Sequence, residues 1–499
     1  MRYVIGIDIG TGSTKGVAVD ASGKVLHTSQ QSYPTLRPEP TFSEQDPETI
    51  WHAFIQCIAR ISATLAQQPQ AIVLSSAMHS LIPMDNGGRP LMNMITWADN
   101  RSALVAERIK NSNDGEAIYA TCGTPIHAMT PLCKILWLKE NNRDLFDRTE
   151  KFISIKEFIW YKLFNVFEVD YSIASATGLF DIVSCKWNPL SLKTCSISAD
   201  KLSIPVETTH LRKDLTSSVA GVLKINSDIP FIAGGSDGCL ANVGSFAIKH
   251  GTAALTIGTS GAIRVAAKAP AVNFAAMTFN YRLFDDLFIS GGPINNGGAT
   301  FKWYAESFLN IKLEKSSDYD ALLSAAEQTD SGANGLIFLP YLLGERAPIW
   351  NSDSSGVFFG IRNYHTQAHF TRAVIEGVSM ALYSIMTAME SSGLEIDQVN
   401  VSGGFVRSTV WLQILADIFN KPIVLIHDED ASAIGAAFIG MKVLGLIKEF
   451  SELDDNDHKS FMPRASHHRT YETIFQVYES LYKKIAPEMS QLMRFNRGE

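Results

Sequence analysis

The stretch Asp8–Gly16 (DIGTGSTKG) combines residue types that could hold phosphate groups and a metal ion. Its glycines would leave backbone N–H groups accessible, and the hydroxyls of Thr11, Ser13 and Thr14 could bind phosphate oxygens. Asp8 lies too near for a direct contact between its carboxylate and phosphate, which suggests that a metal ion or its waters lie between them. The glycine spacing fits neither the GxxxxGK[ST] loop nor the GxGxxG fingerprint, so a different kind of turn is required.

Two strands would position this turn, Tyr3–Ile9 before it and Lys15–Asp20 after it. Midway along the chain, Thr252–Ile257 and Ala262–Ala267 have strand patterns on either side of the small-residue turn Gly258–Gly261. One such loop alone could be a tight hairpin without a ligand. Its recurrence about 245 residues later favours phosphate binding and indicates two similarly folded α/β halves.

The length of 499 residues suits two large domains, each with its own hydrophobic core. The repeat places a boundary near Lys249–Gly251. We therefore predict an N-terminal domain over residues 1–248 and a C-terminal domain over residues 249–499. No low-complexity linker separates them, so we expect a packed interface with a cleft.

Composition and charge exclude several classes of partner. The formal net charge is -8, and the Lys and Arg residues are scattered, so we expect neither nucleic acid nor a membrane as a partner. The 6 cysteines form no CxxC pair, which favours reduced thiols over a zinc ribbon or a disulfide framework. No signal-peptide pattern and no run of about eighteen apolar residues occurs. These features predict a cytoplasmic protein with small-molecule partners, and they are compatible with a homodimer.

A buried strand predicted at Ala71–Leu74 nominates a second group of functional residues. It follows a helix predicted at Pro47–Leu65, for which Asp46 is the expected N-cap. Met78 and His79 come soon after the strand. In an open α/β sheet, side chains beyond the carboxyl ends of strands face the ligand crevice, so position alone makes these two residues binding candidates.

Ser432–Leu444 is a second predicted helix, and its small residues permit close packing. The acidic residues Asp428, Glu429 and Asp430 precede it. We interpret this cluster as a solvated helix N-terminus, where negative charge is favourable.

A series of short motifs follows along nearly the whole chain. In order they are DIGTGSTK (Asp8–Lys15), SEQDPETIW (Ser43–Trp51), SSAMHSL (Ser75–Leu81), ITWADNR (Ile95–Arg101), AGGSDG (Ala233–Gly238), TIGTSG (Thr256–Gly261), FLPYLLGERAPIWN (Phe338–Asn351), GVFFGI (Gly356–Ile361), VSGGFVRS (Val401–Ser408) and DASAIGAAFIG (Asp430–Gly440). Each is weak alone, but the ordered combination resembles the FGGY carbohydrate kinases. The resemblance implies two ribonuclease-H-like α/β domains of the actin, hexokinase and heat-shock chaperone superfamily around an interdomain cleft. ATP would bind mainly to the C-terminal domain and the sugar mainly to the N-terminal domain.

The resemblance also assigns roles to individual residues. Asp237 would be the catalytic base, which accepts the proton of the attacking sugar hydroxyl, and Asp8 would serve Mg²⁺. The residues implied to bind the nucleotide are Thr11, Gly12, Ser13, Lys15, Gly258, Thr259, Gly298, Gly404 and Ser408. Those implied to bind the sugar are Met78, His79, Asp99, Arg101, Lys134 and Asp237 itself.

Ordinary structural roles compete with some of these assignments. Without the resemblance, Asp237 would be a turn aspartate that caps a following helix. Lys15 could equally be a solvated strand residue, and Asp99 and Arg101 could form a surface ion pair.

Finer similarity bears on the substrate. Met78-His79-Ser80 and Trp97-Ala98-Asp99 look more like the gluconate kinases of the family than the xylulose kinases, which typically read MHG and WND at these places. A gluconate carboxylate would need cationic or amide donors, because an unpaired anion in a closed cleft is strongly unfavourable. Lys134, His127 and Arg101 are the candidates. One departure is that the residue after His127 is not the proline that gluconate kinases often have.

We therefore expect ATP-dependent phosphorylation of a sugar or sugar acid, with conversion of D-gluconate to 6-phosphogluconate as the first hypothesis. A xylulose kinase or another pentulose kinase of the family is the alternative. A non-catalytic sensor that binds ATP and a sugar on the same fold is the hypothesis from a different class. The carboxylate at position 237 discriminates between a kinase and a sensor, since only the kinase needs a base.

Overall fold

The computed structural model describes residues 2–313, 316–426, 430–454 and 458–497. The chain is divided into two compact units. Unit 1 comprises Met1–Phe246, Ala267–Ser290 and Asp430–Asp455, and unit 2 comprises Ala247–Ala266, Gly291–Glu429 and Asn456–Glu499. The boundary predicted between residues 248 and 249 lies close to Phe246, after which the chain first passes from unit 1 to unit 2. Unit 1 also includes two later segments. Among the described residues, none of the helices is long and apolar enough to cross a bilayer.

Strands and helices alternate through the described chain, in agreement with the predicted α/β class. The strands are β1 (Tyr3–Ile9), β2 (Ser13–Asp20), β3 (Val25–Ser32), β4 (Glu44–Gln45), β5 (Ile72–Ser76), β6 (Ile82–Met84), β7 (Met94–Ile95), β8 (Lys151–Ile153), β9 (Glu168–Asp170), β10 (Phe180–Asp181), β11 (Lys186–Trp187), β12 (Ile204–Val206), β13 (Leu211–Arg212), β14 (Phe231–Ser236), β15 (Gly251–Ile257), β16 (Gly261–Ala267), β17 (Phe279–Arg282), β18 (Phe288–Ile294), β19 (Ile337–Pro340), β20 (Gly356–Phe359), β21 (Ile396–Ser402), β22 (Ile423–Leu425) and β23 (Ser460–Phe461). The α-helices are α1 (Pro47–Thr64), α2 (Ala103–Lys110), α3 (Gly115–Cys122), α4 (Pro131–Asn141), α5 (Arg143–Arg148), α6 (Ile155–Phe164), α7 (Tyr171–Ser175), α8 (Pro189–Cys195), α9 (Ser217–Leu223), α10 (Asp237–Gly244), α11 (Gly298–Trp303), α12 (Ser316–Glu327), α13 (Gln367–Ser391), α14 (Thr409–Phe419), α15 (Ala431–Val443) and α16 (Ala465–Arg497).

The main sheet of unit 1 is built around β1, in the order β13-β14-β5-β1-β2-β3. β2 runs antiparallel to β1 and places Thr14 opposite Ile9, which confirms the predicted hairpin. β5 runs parallel to β1, and β14 runs parallel to β5 with Ser236 beside Ser76. Because parallel strands end at the same edge of a sheet, the hairpin turn, the segment after β5 and Asp237 all lie at one edge.

A second sheet, most of whose strands belong to unit 2, repeats this arrangement in the order β17-β18-β16-β15-β21-β22-β23. β15 and β16 form an antiparallel hairpin in which Ile257 faces Gly261. β21 runs parallel to β15, and β22 runs parallel to β21. Strands β15, β16, β21 and β22 therefore correspond to β1, β2, β5 and β14, and the internal repeat predicted from the two small-residue turns is confirmed.

Helix α1 begins where the sequence predicts. The carboxylate of Asp46 accepts hydrogen bonds from the backbone N–H groups of Glu48 and Thr49 and so caps the first turn. The helix ends at Thr64, one residue earlier than predicted. β5 continues two residues beyond the predicted Leu74, to Ser76, so Met78 remains just past the strand.

Two helices of unit 1, α10 and α15, touch through their backbones. A Cβ atom added at Gly435 of α15 would lie 1.9 Å from the carbonyl oxygen of Leu240. α15 also approaches β1, where a Cβ at Gly6 would lie 1.8 Å from the carbonyl oxygen of Ala433. Only glycine permits such an approach, and the close packing predicted for this small-residue helix is confirmed.

We expect Gly435→Ala to lower the free energy of unfolding by about 1–3 kcal/mol, because the added methyl group would overlap the Leu240 carbonyl. Gly221→Ala is the matched control, since Gly221 is also helical and a Cβ there meets nothing within 4 Å. That control should be neutral or slightly stabilising, because alanine is the better helix former. Urea denaturation of both variants checks the prediction, and equal stabilities would contradict it.

Candidate active site

Asp8 lies near the carboxyl end of β1 beside a second carboxylate, that of Asp237. The hydroxyl of Ser75 donates a hydrogen bond of 2.7 Å to Asp8 Oδ1. Burial, followed by the negative charge of Asp237, raises the pKa of Asp8 to about 7. The hydrogen bond from Ser75 and the positive charge of Lys15 act in the opposite direction and lower this pKa. The two carboxylates therefore repel each other at this edge of the sheet.

Asp237 is the first residue of α10 and directly follows β14. Its Oδ1 accepts a 2.7 Å hydrogen bond from the backbone N–H of Gly238. The N-cap of α10 is Ser236, whose hydroxyl oxygen accepts from the N–H of Cys239, so the alternative role of Asp237 as the cap is wrong. Ser432 of α15 donates a hydrogen bond of 3.0 Å to the carbonyl oxygen of Asp237.

The turn between β1 and β2 is held by side chains from elsewhere in unit 1. The indole Nε1 of Trp97 donates to the hydroxyl of Thr11 at 2.8 Å, and Gln45 Nε2 donates to the Thr11 carbonyl at 2.5 Å. Gly12 is exposed, and a Cβ at this position would meet nothing within 4 Å. Ser13 is partly exposed. The turn therefore offers backbone and hydroxyl donors from a fixed conformation.

Lys15 forms an ion pair with Asp430, the residue that precedes α15. The side chain of Lys15 is 30% exposed and that of Asp430 is 19% exposed. Lys15 is therefore not simply a solvated strand residue, and Asp430 is not simply a solvated helix terminus. The other two members of the acidic cluster, Asp428 and Glu429, lie outside the described residues.

Met78 and His79 lie just past β5, as predicted. Met78 lines a cavity of about 10 Å³ together with Thr11 and Trp97. His79 has a positive φ of 64°, and its Nδ1 lies 2.7 Å from the carbonyl oxygen of Ala176. A carbonyl only accepts, so Nδ1 carries the hydrogen and Nε2 can accept from the hydroxyl of Tyr281 at 3.3 Å.

Asp99 and Arg101 form a buried bidentate ion pair. Arg101 Nε donates to Asp99 Oδ1 at 2.8 Å, and Arg101 also donates to Asp99 Oδ2 at 2.8 Å and to Glu44 at 2.6 Å. The guanidinium carbon lies 3.6 Å from the ring centre of Phe42. The surface ion pair considered as an alternative is therefore wrong. Two carboxylates neutralise Arg101, which leaves it a weak partner for an anionic substrate.

Lys134 is completely buried in α4. Its amine donates hydrogen bonds of 2.6 Å and 2.7 Å to the carbonyl oxygens of His79 and Thr96. Burial lowers the pKa of Lys134 to about 7. The amine therefore fixes the backbone on which His79 and Trp97 are carried, and it has no surface that a ligand could touch.

A cleft of about 940 Å³ in unit 2 brings together five of the predicted nucleotide residues. They are Gly258, Thr259, Gly298, Gly404 and Ser408. The cleft also contains the aromatic rings of Phe301, Phe405, Trp411 and Tyr319. The combination of glycine-lined backbone and aromatic surface suits a flat, phosphorylated ligand.

Two backbone contacts build the part of this cleft that contains Gly258 and Thr259. The N–H of Gly298 donates to the carbonyl of Gly258 at 2.7 Å, and that of Ala299 donates to the carbonyl of Thr259 at 3.2 Å. A Cβ at Gly298 would lie 2.7 Å from the Gly258 oxygen, so only glycine fits here.

The opposite part of the cleft is formed by the turn after β21. Gly403 has a φ of 106°, and a Cβ at Gly404 would meet nothing within 4 Å. The hydroxyl oxygen of Ser408 accepts a 3.1 Å hydrogen bond from Trp411 N and caps α14. The space beside Gly404 is therefore open to a ligand.

Some site residues could not be found from the sequence pattern. Tyr281 reaches His79 from a segment more than 200 positions later, and no motif marks it. Trp97 and Gln45 lie inside quoted motifs, but their contacts with Thr11 have no local signal. Trp411 follows the VSGGFVRS motif and could have been nominated as a stacking residue because of that position.

Comparisons with known proteins agree with this arrangement. The models of the FGGY family of carbohydrate kinases match residues 3–244 with the N-terminal domain and residues 253–444 with the C-terminal domain. Gluconokinase of Bacillus subtilis (strain 168) is 37% identical over 99% of this chain and 98% of its own length. Gluconate kinase from Lactobacillus acidophilus, a crystal structure, shares 33% identity with a TM-score of 0.94 over 98% of this chain and 99% of its own.

Ligand-bound xylulose kinase from Lactobacillus acidophilus is similar to the same degree. It shares 32% identity with a TM-score of 0.94, and the match covers 99% of this chain and 100% of that one. These full-length matches confirm the predicted two-domain fold.

We expect Lys134→Met to destabilise the protein, because the buried carbonyls of His79 and Thr96 would lose their donor at a cost of about 1–3 kcal/mol each. The loss should depend on pH. The unfolded chain keeps the ordinary lysine pKa of 10.5, so unfolding takes up a proton between about pH 7 and pH 10.5. Between pH 7 and pH 9, the free energy of unfolding of the wild-type protein should therefore rise by about 2 kcal/mol relative to that of the variant.

Urea denaturation at the two pH values measures this gain. Lys139→Met is the control, since Lys139 lies on the same helix and binds Ser196 near the surface. A stability difference between wild type and Lys134→Met that does not change with pH would contradict the buried neutral amine.

We expect Gly404→Leu to weaken ADP binding about ten-fold, because the new side chain would fill open space in the cleft. The melting temperature should not change, since nothing lies within 4 Å of the added Cβ. Gly221→Leu, at an equally open position of unit 1, serves as the control. Isothermal titration calorimetry with ADP provides the measurement, and unchanged affinity would show that this part of the cleft does not hold the nucleotide.

Proposed function

The chain belongs to the FGGY family of carbohydrate kinases, and from this premise we propose that it transfers the terminal phosphoryl group of ATP to D-gluconate, giving 6-phosphogluconate. The full-length similarity to gluconokinases supports gluconate as the acceptor. The observation on which the catalytic part depends is the pair of carboxylates, Asp8 and Asp237, at one edge of the unit 1 sheet.

Asp237 is the proposed base. The acceptor hydroxyl must lose its proton as its oxygen attacks the terminal phosphorus, and a carboxylate within hydrogen-bond reach can take that proton. Asp237 is partly exposed at the end of β14, and its Oδ1 is oriented by the Gly238 N–H. A non-catalytic sensor would have no need for this carboxylate.

Asp8 is the proposed contact for Mg²⁺. Its pKa is raised by burial and by Asp237, so a nearby cation would stabilise the ionised carboxylate. Within the described residues, no group of three or more His, Cys, Asp or Glu side chains could hold a metal ion. Mg²⁺ is commonly bound by one or two carboxylates together with substrate phosphates and water, so Asp8 could contribute one ligand of such a site. When bound, Mg²⁺ would neutralise charge on the transferring phosphoryl group.

The nucleotide is assigned to the cleft of unit 2. We propose that the open space at Gly404 takes the adenine and that Thr259 donates to phosphate oxygens. The N–H of Gly258 is bound to the Ser260 carbonyl, so we propose that Gly258 serves by letting the phosphates approach the backbone. We also propose the turn at Thr11, Gly12 and Ser13 as a set of phosphate donors. The loose, charge-rich transition state of phosphoryl transfer gains most from such fixed donors.

Recognition of the gluconate carboxylate falls to His127. Lys134 is inaccessible, and Arg101 already pairs with two carboxylates. His127 is partly exposed, and its Nδ1 accepts a 3.2 Å hydrogen bond from the N–H of Met129. Nε2 of the neutral ring therefore carries the hydrogen and can donate to a carboxylate.

We also propose a cytoplasmic location, since all six cysteines are free thiols.

Xylulose is the second candidate acceptor. The ligand-bound xylulose kinase structure matches this chain with the same TM-score as the gluconate kinase structure. A neutral sugar would need no cation, which fits the neutralised state of Arg101 and the buried amine of Lys134.

A coupled ADP assay with gluconate, xylulose, ribulose, glycerol and fuculose tests the acceptor. We expect the highest kcat/KM with gluconate. A strong response to xylulose and none to gluconate would reverse the assignment, whereas no response to any sugar would favour the sensor hypothesis.

We expect Asp237→Asn to lower kcat by about 100- to 10,000-fold, the range typical of a lost general base. ADP affinity should be retained, because the proposed nucleotide residues are unchanged. Asp85→Asn is the control, since Asp85 is a turn aspartate paired with Arg89. Undiminished sugar-dependent ADP production by the Asp237 variant would overturn the assignment of the base.

A further inference from the structure

A buried ion pair contacts the chain segment that carries Asp237. Lys156 of α6 lies 2.8 Å from Asp170 Oδ2, and the two residues are only 4% and 3% exposed. The amine of Lys156 also donates a 2.9 Å hydrogen bond to the carbonyl oxygen of Gly235. Gly235 precedes Asp237 by two residues, so the lysine holds the backbone just before the proposed base.

The second carboxylate oxygen of Asp170 reaches the same segment through α7. Asp170 Oδ1 accepts hydrogen bonds of 3.1 Å from the N–H groups of Ser172 and Ile173 and caps this helix. The hydroxyl oxygen of Ser172 accepts from the N–H of Ser236 at 3.0 Å and lies 2.9 Å from the Ser236 hydroxyl. Ser236 is in turn the N-cap of α10, which begins with Asp237.

The pairing of β14 with β5 is interrupted just before this segment. The register between β14 and β5 shifts between Ile232 and Gly235, and Gly234 has a φ of 65°. A Cβ at Gly234 would lie 2.0 Å from the carbonyl oxygen of Leu74. At such an irregularity the ladder of backbone hydrogen bonds is interrupted. Pairing resumes at Gly235 and Ser236, so contacts from other elements fix this segment together with the strand.

We propose that Lys156 and Asp170 are positioning residues for Asp237, fixing Gly235 through one bond and Ser236 through α7. The inference rests on the proposed role of Asp237 as the base. A buried ion pair is expensive to desolvate, and well-packed apolar side chains would give similar stability. Unlike apolar side chains, the pair supplies a directional donor to Gly235 and directional acceptors to α7, which gives it a role beyond stability.

The test compares Lys156→Met with Lys162→Met. Lys162 lies on the same helix but pairs with Glu48, and it has no contact with Gly235 or Asp170 among the described hydrogen bonds. We expect Lys156→Met to lower kcat about 100-fold, the cost of a displacement near 1 Å in a catalytic group, with KM for ATP unchanged. Lys162→Met should leave both constants unchanged.

Hydrogen exchange gives a readout that does not depend on turnover. Amides in a peptide spanning residues 233–240 should exchange faster in Lys156→Met than in the wild type and in Lys162→Met. If exchange in this peptide and kcat per folded enzyme are both unchanged, the positioning role is refuted. If Asp237→Asn keeps full turnover, the base assignment fails, while the exchange measurement still tests the positioning of the segment.

A double variant guards against simple unfolding. Lys156→Met alone leaves the Asp170 charge buried without its partner, whereas Lys156→Met combined with Asp170→Asn removes both charges and keeps an oxygen to cap α7. We expect the double variant to fold and to show the same loss of kcat as Lys156→Met, since the two residues act as one unit. Wild-type kcat in a folded double variant would overturn the proposal.

Discussion

Repulsion between two carboxylates shapes the edge of the unit 1 sheet. Strands β1 and β14 lie on either side of β5 and run parallel to it, so their carboxyl ends reach the same edge of the sheet. Asp8 and Asp237 are therefore close enough for their charges to interact. The neighbouring groups offset part of this repulsion: Ser75 donates to Asp8, and the backbone N–H of Gly238 in the first turn of α10 donates to Asp237. The remaining excess of negative charge would favour the cation that we propose for this edge.

Local patterns in the sequence were sufficient for the parts of the molecule that depend on local geometry. The two hairpins could be predicted because a small-residue turn between apolar runs has few other solutions. The resemblance to the family nominated Gly258, Gly298 and Gly404, and the structure collects them in one cleft, where the absence of Cβ atoms would let a ligand approach the backbone. Met78 and His79 followed from the rule that ligands bind beyond the carboxyl ends of parallel strands.

At the predicted sugar site, the sequence could not show which charged side chains become buried and paired with distant parts of the chain. Lys134 and Arg101 have the charge expected of substrate ligands, but their partners are backbone carbonyls and carboxylates brought together only by folding. A buried polar group without a partner is costly, so these internal partners determine what Lys134 and Arg101 bind. No local spacing in the sequence indicates them. The same holds for Tyr281, whose hydroxyl meets His79 only because a segment far along the chain joins unit 1.

The contact between Gly6 and Ala433 makes unit 1 depend on a helix encoded near the end of the chain. On the ribosome, the first strand emerges long before α15, and at about 5–20 residues per second the delay is roughly 20 to 90 s. During that interval α15 does not yet cover β1, and the apolar side chains around Gly6 stay exposed to water. Unit 1 therefore cannot complete its packing during synthesis until α15 has left the ribosome.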